Sequence, residues 1–187
     1  MNNMEEQLLF QDVARDLAQP ILCYLERYVG NRVVAEELQQ ETLIRMSRGL
    51  SSFAGRSSIK TWAFSIASRV AADYFRHPDR RTHIVELNET AELIDPGRAI
   101  DERMVADEMN ECIRQVLDSL PDAYRAALIL HDLEGLTLEQ TAEIGECSLA
   151  SVKIRIHRAR LRLKEALKKQ CAFYRDPDSV FRCDRKA

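Results

Sequence analysis

Apolar residues recur along most of the chain at the three- and four-residue spacing of a helix, and no stretch shows a convincing alternation with period two. This pattern predicts an all-α chain. One apolar stripe comprises Met109, Cys112, Ile113, Val116, Leu117 and Leu120. A second comprises Ile59, Trp62, Ala63, Ile66, Val70 and Tyr74. The predicted helices cover 6–29, 33–49, 58–77, 100–118, 121–133, 137–144 and 148–169.

Local signals mark where several of these helices begin or break. Ser57 and Ser58 precede the second stripe, and Pro121 suits the first turn of the helix that it opens. Pro20 is expected to break the first helix, because it cannot donate a backbone hydrogen bond. Residues 78–99 are predicted to form a loop, and 170–187 a polar tail.

Composition narrows the class of protein. The chain has 187 residues, 45% of them hydrophobic, which suits one domain or two small ones with packed cores. The longest apolar run, Ala126–Leu130, is far below the roughly 20 residues of a membrane span. Glu5 and Glu6 lie where a signal peptide carries positive charge. We therefore expect a cytoplasmic protein without membrane insertion, whose five cysteines are mostly reduced.

Charge is segregated along the chain. Residues 86–110 hold 8 acidic and 2 basic residues, and the turn Asp95-Pro96-Gly97 lies among them. This acidic block is predicted to link two modules. Residues 153–169 hold 8 basic residues and a single acidic one. A solvated helix face is the ordinary interpretation of a charge run, but a bias of this size indicates a polyanionic partner.

Residues 137–163 have the pattern of a helix-turn-helix. Thr137 and Gln140 form a capping box, Gly145–Cys147 supply a short turn, and Ser148 caps the second helix. The second helix is expected to face the first through Val152, Ile156, Ala159 and Leu163.

The exposed side of this basic second helix is the candidate DNA surface. Side chains able to reach base edges in a major groove are Lys153, Ile154, His157 and Arg158. Those better placed for phosphates are Arg155, Arg160 and Arg162, and Ser151 belongs to the same surface. The alternative is a helical hairpin with a basic surface and no role in DNA binding.

Residues 120–167 resemble region 4 of bacterial sigma factors of the extracytoplasmic-function (ECF) class, in the sigma-70 family. The resemblance lies in Leu120-Pro121, Asp132–Leu136, Ala142–Ile144 and the run Val152–Arg160. Residues 35–46, AEELQQETLIRM, and 53–76, FAGRSSIKTWAFSIASRVAADYFR, are similar to region 2 of the same family. The two segments in this order, joined by a short acidic linker, are typical of the ECF class.

The resemblance implies a sigma factor that binds core RNA polymerase, reads the −35 and −10 promoter elements and assists DNA melting. It implies two small helical domains: region 2 over 1–85 and region 4 over 108–169, joined by a flexible acidic linker, 86–107, and followed by a Cys-containing tail, 170–187. The expected partners are the β′ clamp helices and β flap of the polymerase, promoter DNA and an anti-sigma factor. No cofactor and no catalysis are expected.

The resemblance also assigns candidate residues in region 2. Those for the −10 element are Phe53, Arg56, Lys60, Arg69 and Arg76. Phe53 suits packing and base contact equally, whereas the helical spacing of Trp62 favours a core position. The polar stripe expected to dock on the polymerase clamp comprises Glu36, Glu37, Gln40, Glu41 and Arg45. An ordinary solvent-exposed face is the alternative for that stripe.

Two positions depart from the usual family pattern. Glu146 stands where the family usually has the glycine of the turn, so Gly145 is expected to adopt the left-handed conformation instead. Arg69 stands where the family often has Asn beside the melted strand. Promoter preference at that point therefore cannot be carried over from the family.

The tail holds Cys171 and Cys183, twelve positions apart. Two thiolates are fewer than the four ligands of a structural zinc site, and some ECF proteins resemble this chain in having a Cys-containing extension with a sensing role. Metal or redox sensing and a packing tail both remain open.

Two other classes of function account for less of the sequence. A helix-turn-helix repressor or activator accounts for 137–169 but gives no purpose to 35–76. An enzyme is disfavoured, because the four histidines fit no HExxH pattern and the chain has no Gly-rich phosphate loop.

Overall fold

The computed structural model describes residues 3–76, 113–175 and 181–185. The helices are α1 (Asn3–Val29), α2 (Arg32–Gly49), α3 (Ile59–Arg76), α4 (113–118), α5 (Asp122–Leu128), α6 (Leu138–Ile144) and α7 (Leu149–Gln170). A short 3₁₀ turn, Leu50–Ser52, follows α2, and a π-helical turn, Ile129–Leu133, continues α5. Two strands, β1 (Cys171–Arg175) and β2 (Phe181–Arg185), follow α7. The predicted all-α fold is confirmed for the two helical modules.

Several predictions fall outside the described residues. These are the loop 78–99, the acidic linker 86–107 and the larger part of the predicted helix 100–118, of which only 113–118 is described and is helical. Among the helices that are described, none is long and apolar enough to cross a membrane.

The first helix is continuous, and the predicted break at Pro20 is wrong. Pro20 lies inside α1, which runs unbroken to Val29. Ile21 and Leu22, directly after the proline, are buried, and Gln39 of α2 donates its side-chain N–H to the carbonyl of Ala18 at 2.7 Å. Tertiary packing and this added hydrogen bond therefore hold the helix through a residue that cannot donate its own.

Helices α1, α2 and α3 form the first module around a core rich in aromatic side chains. Tyr24 and Phe64 are fully buried, with ring centroids 5.5 Å apart, and the Tyr24 hydroxyl is 2.8 Å from the Ser68 hydroxyl. Asn31 caps α2 by accepting the N–H of Val34 at 3.1 Å. The phenol is thus satisfied inside an apolar core, as a buried polar group must be.

Helices α4 to α7 form the second module, which has two small apolar clusters. One contains Leu117, Leu120, Leu128 and Ala159, and the other Ala127, Ala142, Val152 and Ile156. Pro121 is the N-cap of α5, one position before the helical turn predicted for it.

The two modules pack against each other. Four residues of the second module join the core of the first: Ile129, Leu130, Leu136 and Ile144. Beside them, Arg125 of α5 is inserted between two aromatic rings of the first module, 5.2 Å from the ring centroid of Tyr28 and 5.4 Å from that of Phe75. Burial raises the pKa of Tyr28 to about 12, so its hydroxyl stays protonated at neutral pH. The interface combines apolar packing with a buried cation.

The polar tail contains a β-hairpin that the sequence pattern did not predict. β1 pairs with β2 in antiparallel register, with Cys171 opposite Arg185 and Phe173 opposite Cys183. Each strand has only five residues, which is too short for alternation to be recognised against a helical background.

Candidate nucleic-acid interface

The helix-turn-helix begins with the predicted capping box. Thr137 accepts the backbone N–H of Gln140 at 3.2 Å, and Gln140 accepts the backbone N–H of Thr137 at 2.8 Å. At the start of α7, Ser148 accepts the backbone N–H of Ser151 at 3.2 Å. Both helices therefore start at side-chain caps that satisfy otherwise unpaired N–H groups.

The turn between the helices differs from the prediction. Gly145 has an ordinary φ of −79°, whereas Glu146 has a φ of 47°. The left-handed residue is thus Glu146 and not Gly145. Residues with a side chain are strained in the left-handed region, where glycine is usual, so the conformation of Glu146 slightly destabilises the turn.

Helix α7 packs on the rest of the module through the predicted stripe. Val152, Ile156 and Ala159 are almost fully buried, and Leu163 is half-buried. The opposite side of the first turns of α7 is exposed and carries Lys153, Ile154, His157 and Arg158. The structure therefore brings the four predicted base-contacting side chains together on one surface, which we call the basic ridge.

The remaining candidate residues on α7 make different contacts. Arg160 donates two N–H groups to the carboxylate of Asp132, at 2.8 and 2.5 Å, which raises its already high pKa. Arg155 is half-buried and donates to the sulfur of Cys147 at 3.3 Å, away from the basic ridge. Ser151 is half-buried at the helix cap. Arg160 is therefore held beside the ridge by Asp132, whereas Arg155 contacts the turn at Cys147.

Three of the candidate −10 cations lie on α3. Lys60 donates to the backbone carbonyl of Glu134 at 3.0 Å, and Arg69 donates Nε–H and a terminal N–H to Glu146 at 3.1 and 2.9 Å. Arg76 pairs with Asp73 of its own helix. Two of the three therefore bind groups of the second module.

Glu134 of the second module also contacts the first module. Its carboxylate accepts from Arg27 at 2.6 Å, and its side chain is only 8% exposed. Burial raises the pKa of Glu134 above its ordinary value, while the nearby Arg27 acts in the opposite direction. Glu134 therefore lies under the first module and joins it through both its side chain and its backbone.

The loop before α3 carries the remaining −10 candidates. Arg56 is exposed, and Gly55 beside it has a φ of 66°, which glycine adopts without strain. Phe53 and Trp62 are half-buried, with ring centroids 5.1 Å apart. Trp62 also approaches Gly49, where a Cβ would lie 3.1 Å from the indole. Trp62 therefore packs against the core of the first module, in agreement with its helical spacing, and its ring also contacts Phe53.

The polar stripe on α2 is only partly open to solvent. Glu37 and Gln40 are exposed. Glu36 and Glu41 are half-buried, and they accept hydrogen bonds from Arg32 at 3.0 Å and Arg45 at 2.7 Å.

Two apolar side chains that the sequence argument missed flank this stripe. Val33 is 52% exposed and Ile44 is 43% exposed, and their spacing places them on the helix face of Glu37 and Gln40. Exposed apolar residues among charged ones are typical of a protein-binding surface.

A groove of about 340 Å³ lies between the modules. Its lining includes small side chains such as Ala72 and Ala126 and the arginines Arg69, Arg76 and Arg155. It belongs to the interface already described.

Metal-binding groups are not assembled in the part of the chain that the structure describes, where no cluster of three or more His, Cys, Asp or Glu side chains occurs. Cys23 and Cys147 are free thiols. The side chains of the metal-site candidates Cys171 and Cys183 lie outside the described ones, so only their backbone register is known.

Four residues of the site were missed from the sequence: Tyr124, Arg125, Asp132 and Glu134. Each contacts a partner more than 25 positions away: Tyr124 and Asp132 within the second module, and Arg125 and Glu134 in the first module. Helical spacing carries no information about such contacts, and no other sequence signal marks them.

Comparison with known families gives two matches that divide the chain as the structure does. The family model described as Sigma-70 region 2 matches residues 13–81, and the model described as Sigma-70, region 4 matches residues 110–163.

Curated relatives agree with both models. The chain is 33% identical to the RNA polymerase sigma factor YlaC of Bacillus subtilis over 167 residues, which cover 89% of this chain and 96% of the relative. It is 34% identical to the ECF RNA polymerase sigma-E factor of Haemophilus influenzae over 143 residues, which cover 73% of this chain and 75% of the relative.

A solved structure has the same fold. The sigma factor RpoE of Bartonella quintana, in complex with the anti-sigma factor NepR, superposes with a TM-score of 0.68 at 25% identity. The match covers 85% of this chain and 96% of that one.

Proposed function

Because this chain belongs to the ECF class of the sigma-70 family and is a transcription-initiation factor, we propose that it directs core RNA polymerase to promoters by reading a −35 and a −10 element. It acts in the cytoplasm as a binding protein, without a cofactor or a catalytic step of its own. The second module reads the −35 element, and the first module reads the −10 element and assists melting.

The basic ridge is the observation that carries this proposal. Lys153, Ile154, His157 and Arg158 are exposed together at the start of a helix whose opposite side is packed in the module core. The second helix of a helix-turn-helix enters the major groove with its N-terminal residues, which is where these four lie. Arg160, fixed by Asp132, is placed for a flanking phosphate.

While its two modules are packed together, the chain cannot contact the −35 and −10 elements at the same time. Elements at positions −35 and −10 are about 25 base pairs apart, or roughly 85 Å of duplex at 3.4 Å per base pair. A compact chain of 187 residues is roughly 40 Å across. Moreover, Lys60 and Arg69 already bind the second module. Promoter binding therefore requires the modules to separate, which frees these two cations from their partners in the second module.

The surface of α2 is proposed to dock on the polymerase β′ clamp helices, and the second module on the β flap. Glu37 offers negative charge for basic clamp residues, and the exposed Val33 and Ile44 offer apolar contact on either side of it. Glu36, Gln40, Glu41 and Arg45 complete the surface.

An anti-sigma factor is the remaining proposed partner. The Bartonella RpoE was solved with such a protein bound, and it has the fold of this chain. An anti-sigma factor that binds the packed arrangement better than the separated one would stabilise it, because a ligand shifts an equilibrium by its differential affinity.

In-vitro transcription with core RNA polymerase tests the proposal. The full chain is expected to make core polymerase initiate from a defined subset of a promoter library. Reversing charge at Glu37 and Glu41 together should reduce affinity for core polymerase, by roughly tenfold if two interfacial charge contacts are lost.

The matched control is the reversal of Asp12 and Asp16, which have the same four-residue spacing on the exposed face of α1. The control should bind core polymerase normally. Equal losses in both variants would show a general charge effect, and DNA binding without any polymerase dependence would make the chain an ordinary helix-turn-helix regulator.

A further inference from the structure

A tyrosine and two arginines form a cluster beside the basic ridge. Arg158 donates an N–H to the hydroxyl of Tyr124 at 3.2 Å. The guanidinium carbon of Arg162 lies 5.3 Å from the centroid of the same ring, within the range of a cation–π contact. One side chain of α5 thus contacts two exposed arginines of α7.

The Tyr124 ring is fixed by the core of its module. It is half-buried and packs against the apolar cluster of Leu117, Leu120, Leu128 and Ala159. Its backbone N–H donates to the carbonyl of Pro121 at 2.8 Å in the first turn of α5. The position of the phenol is therefore set by packing and does not depend on the arginines that reach it.

The contacts leave both arginines able to bind DNA. A guanidinium has five N–H donors, so one bond to Tyr124 leaves Arg158 enough donors for the bidentate contact that reads guanine. An exposed arginine samples many rotamers, and the loss of that freedom opposes binding. A partner that holds the side chain before DNA arrives reduces this loss.

The electrostatics of the phenol agree with this geometry. The hydrogen bond from Arg158 lowers the pKa of Tyr124, and the charges of Arg158, Arg162 and Arg155 act in the same direction. The hydroxyl oxygen is thus an acceptor in a strongly positive environment.

We infer that Tyr124 is a positioning residue for −35 recognition, which holds Arg158 toward a base and Arg162 toward a phosphate. The inference rests on the proposed function, because it assigns DNA contacts to these two arginines. It predicts that the hydroxyl and the ring of Tyr124 have separable effects on DNA binding.

The test compares Tyr124→Phe and Tyr124→Ala in the full chain bound to core polymerase, on promoters that vary at each −35 position. Phenylalanine keeps the ring and its packing and removes only the hydroxyl. It should reduce the preference at the position that Arg158 reads by roughly three- to tenfold, the size expected for one lost hydrogen bond of ordinary net strength. Its salt dependence should match that of the parent. Alanine should also weaken binding to all −35 variants alike, because Arg162 loses the ring.

Arg158→Ala, alone and combined with Tyr124→Phe, distinguishes a failure of the positioning role of Tyr124 from a failure of the base contact of Arg158. If Tyr124 acts through Arg158, adding Tyr124→Phe to Arg158→Ala should change nothing further. If Arg158→Ala relaxes a base preference and Tyr124→Phe does not, the positioning role is wrong and the −35 assignment stands. If Arg158→Ala changes no preference, the base contact itself fails and the inference fails with it. Tyr74→Phe, in the other module, is the matched control and should leave −35 preference unchanged, and thermal melts should show that each variant is folded.

Discussion

Arg125 is the residue whose removal should open the packed arrangement of the two modules. Its side chain is 7% exposed and lies between Tyr28 and Phe75 of the first module, while its two hydrogen bonds go to Asp118 and Asp122 of its own module. Arg125→Ala therefore removes a contact that spans the interface.

The expected loss follows from opposing contributions. Each desolvated cation–π contact is worth up to about 2 kcal/mol, so the two rings account for roughly 2–4 kcal/mol. Against this, the buried Nε of Arg125 has no hydrogen-bond partner among the described groups, at a cost of about 1–3 kcal/mol that the substitution removes. Asp118 and Asp122 have side chains 44% and 60% exposed, so water can replace the lost bonds. The net loss should be about 1 kcal/mol, which is roughly a fivefold shift toward separated modules.

Small-angle scattering and energy transfer between one label in each module measure this shift. Arg125→Ala should increase the radius of gyration and lower the transfer efficiency, while the far-UV circular dichroism stays that of a helical protein. Arg125→Met, which fills the same space with apolar contact to the rings, should open the arrangement less. Arg15→Ala, at an arginine that is 72% exposed and paired only with a neighbour on its own helix, is the control. Scattering and energy transfer that are identical for Arg125→Ala and Arg15→Ala would refute the assignment of Arg125 to the interface.

Three further outcomes are expected. Because burial raises the pKa of Glu134 above its ordinary value, the packed arrangement should gain stability as the pH falls through the raised pKa, and energy transfer followed as the pH is lowered should show this gain in the parent but not in Glu134→Gln. Glu146→Gly relieves the positive φ, whereas Glu146→Ala keeps it, and both lose the pair with Arg69; in chemical denaturation the glycine variant should therefore be the more stable of the two, by about 1 kcal/mol, and the reverse order would exclude strain at this turn. Replacing Cys171 and Cys183 by Ser should leave transcription unchanged with and without zinc or copper, under reducing and oxidising conditions, because two thiols do not complete a metal site; a response that only the parent shows would instead make the tail a switch.

Most of the helical framework could be predicted because the relevant forces act over short stretches of sequence. The spacing of Val152, Ile156 and Ala159 identifies the buried side of α7 without knowledge of its neighbours. Thr137 and Gln140 cap α6 through contacts three residues apart. Once one side of α7 is buried, the exposed position of Lys153 and Arg158 follows from helical geometry alone.

The failures all involve contacts that the local sequence does not contain. The local sequence predicts a break at Pro20, but packing against α2 keeps the helix continuous. The hairpin depends on pairing between strands of five residues each, which leaves little periodic signal. Arginine is usually found at the protein surface, and the burial of Arg125 depends on two aromatic rings of the other module.

The two departures from the family pattern are the clearest example of a contact that the local sequence does not predict. Arg69 stands where the family often has Asn, and Glu146 where it usually has Gly; taken separately, each only weakened the comparison with the family. In the structure they are partners, joined by two hydrogen bonds of 3.1 and 2.9 Å across the module interface. Both side chains are more than half exposed, so the pair contributes little to stability, about 0–1 kcal/mol, and does not by itself hold the modules together. In the proposed function, the pair matters for DNA: Arg69, the candidate for contact with the −10 strand, is neutralised by a carboxylate of the second module until the modules separate. Since a carboxylate at the turn would also repel nearby phosphates, pairing with Arg69 and separation from it change the charge of both proposed DNA-binding surfaces together.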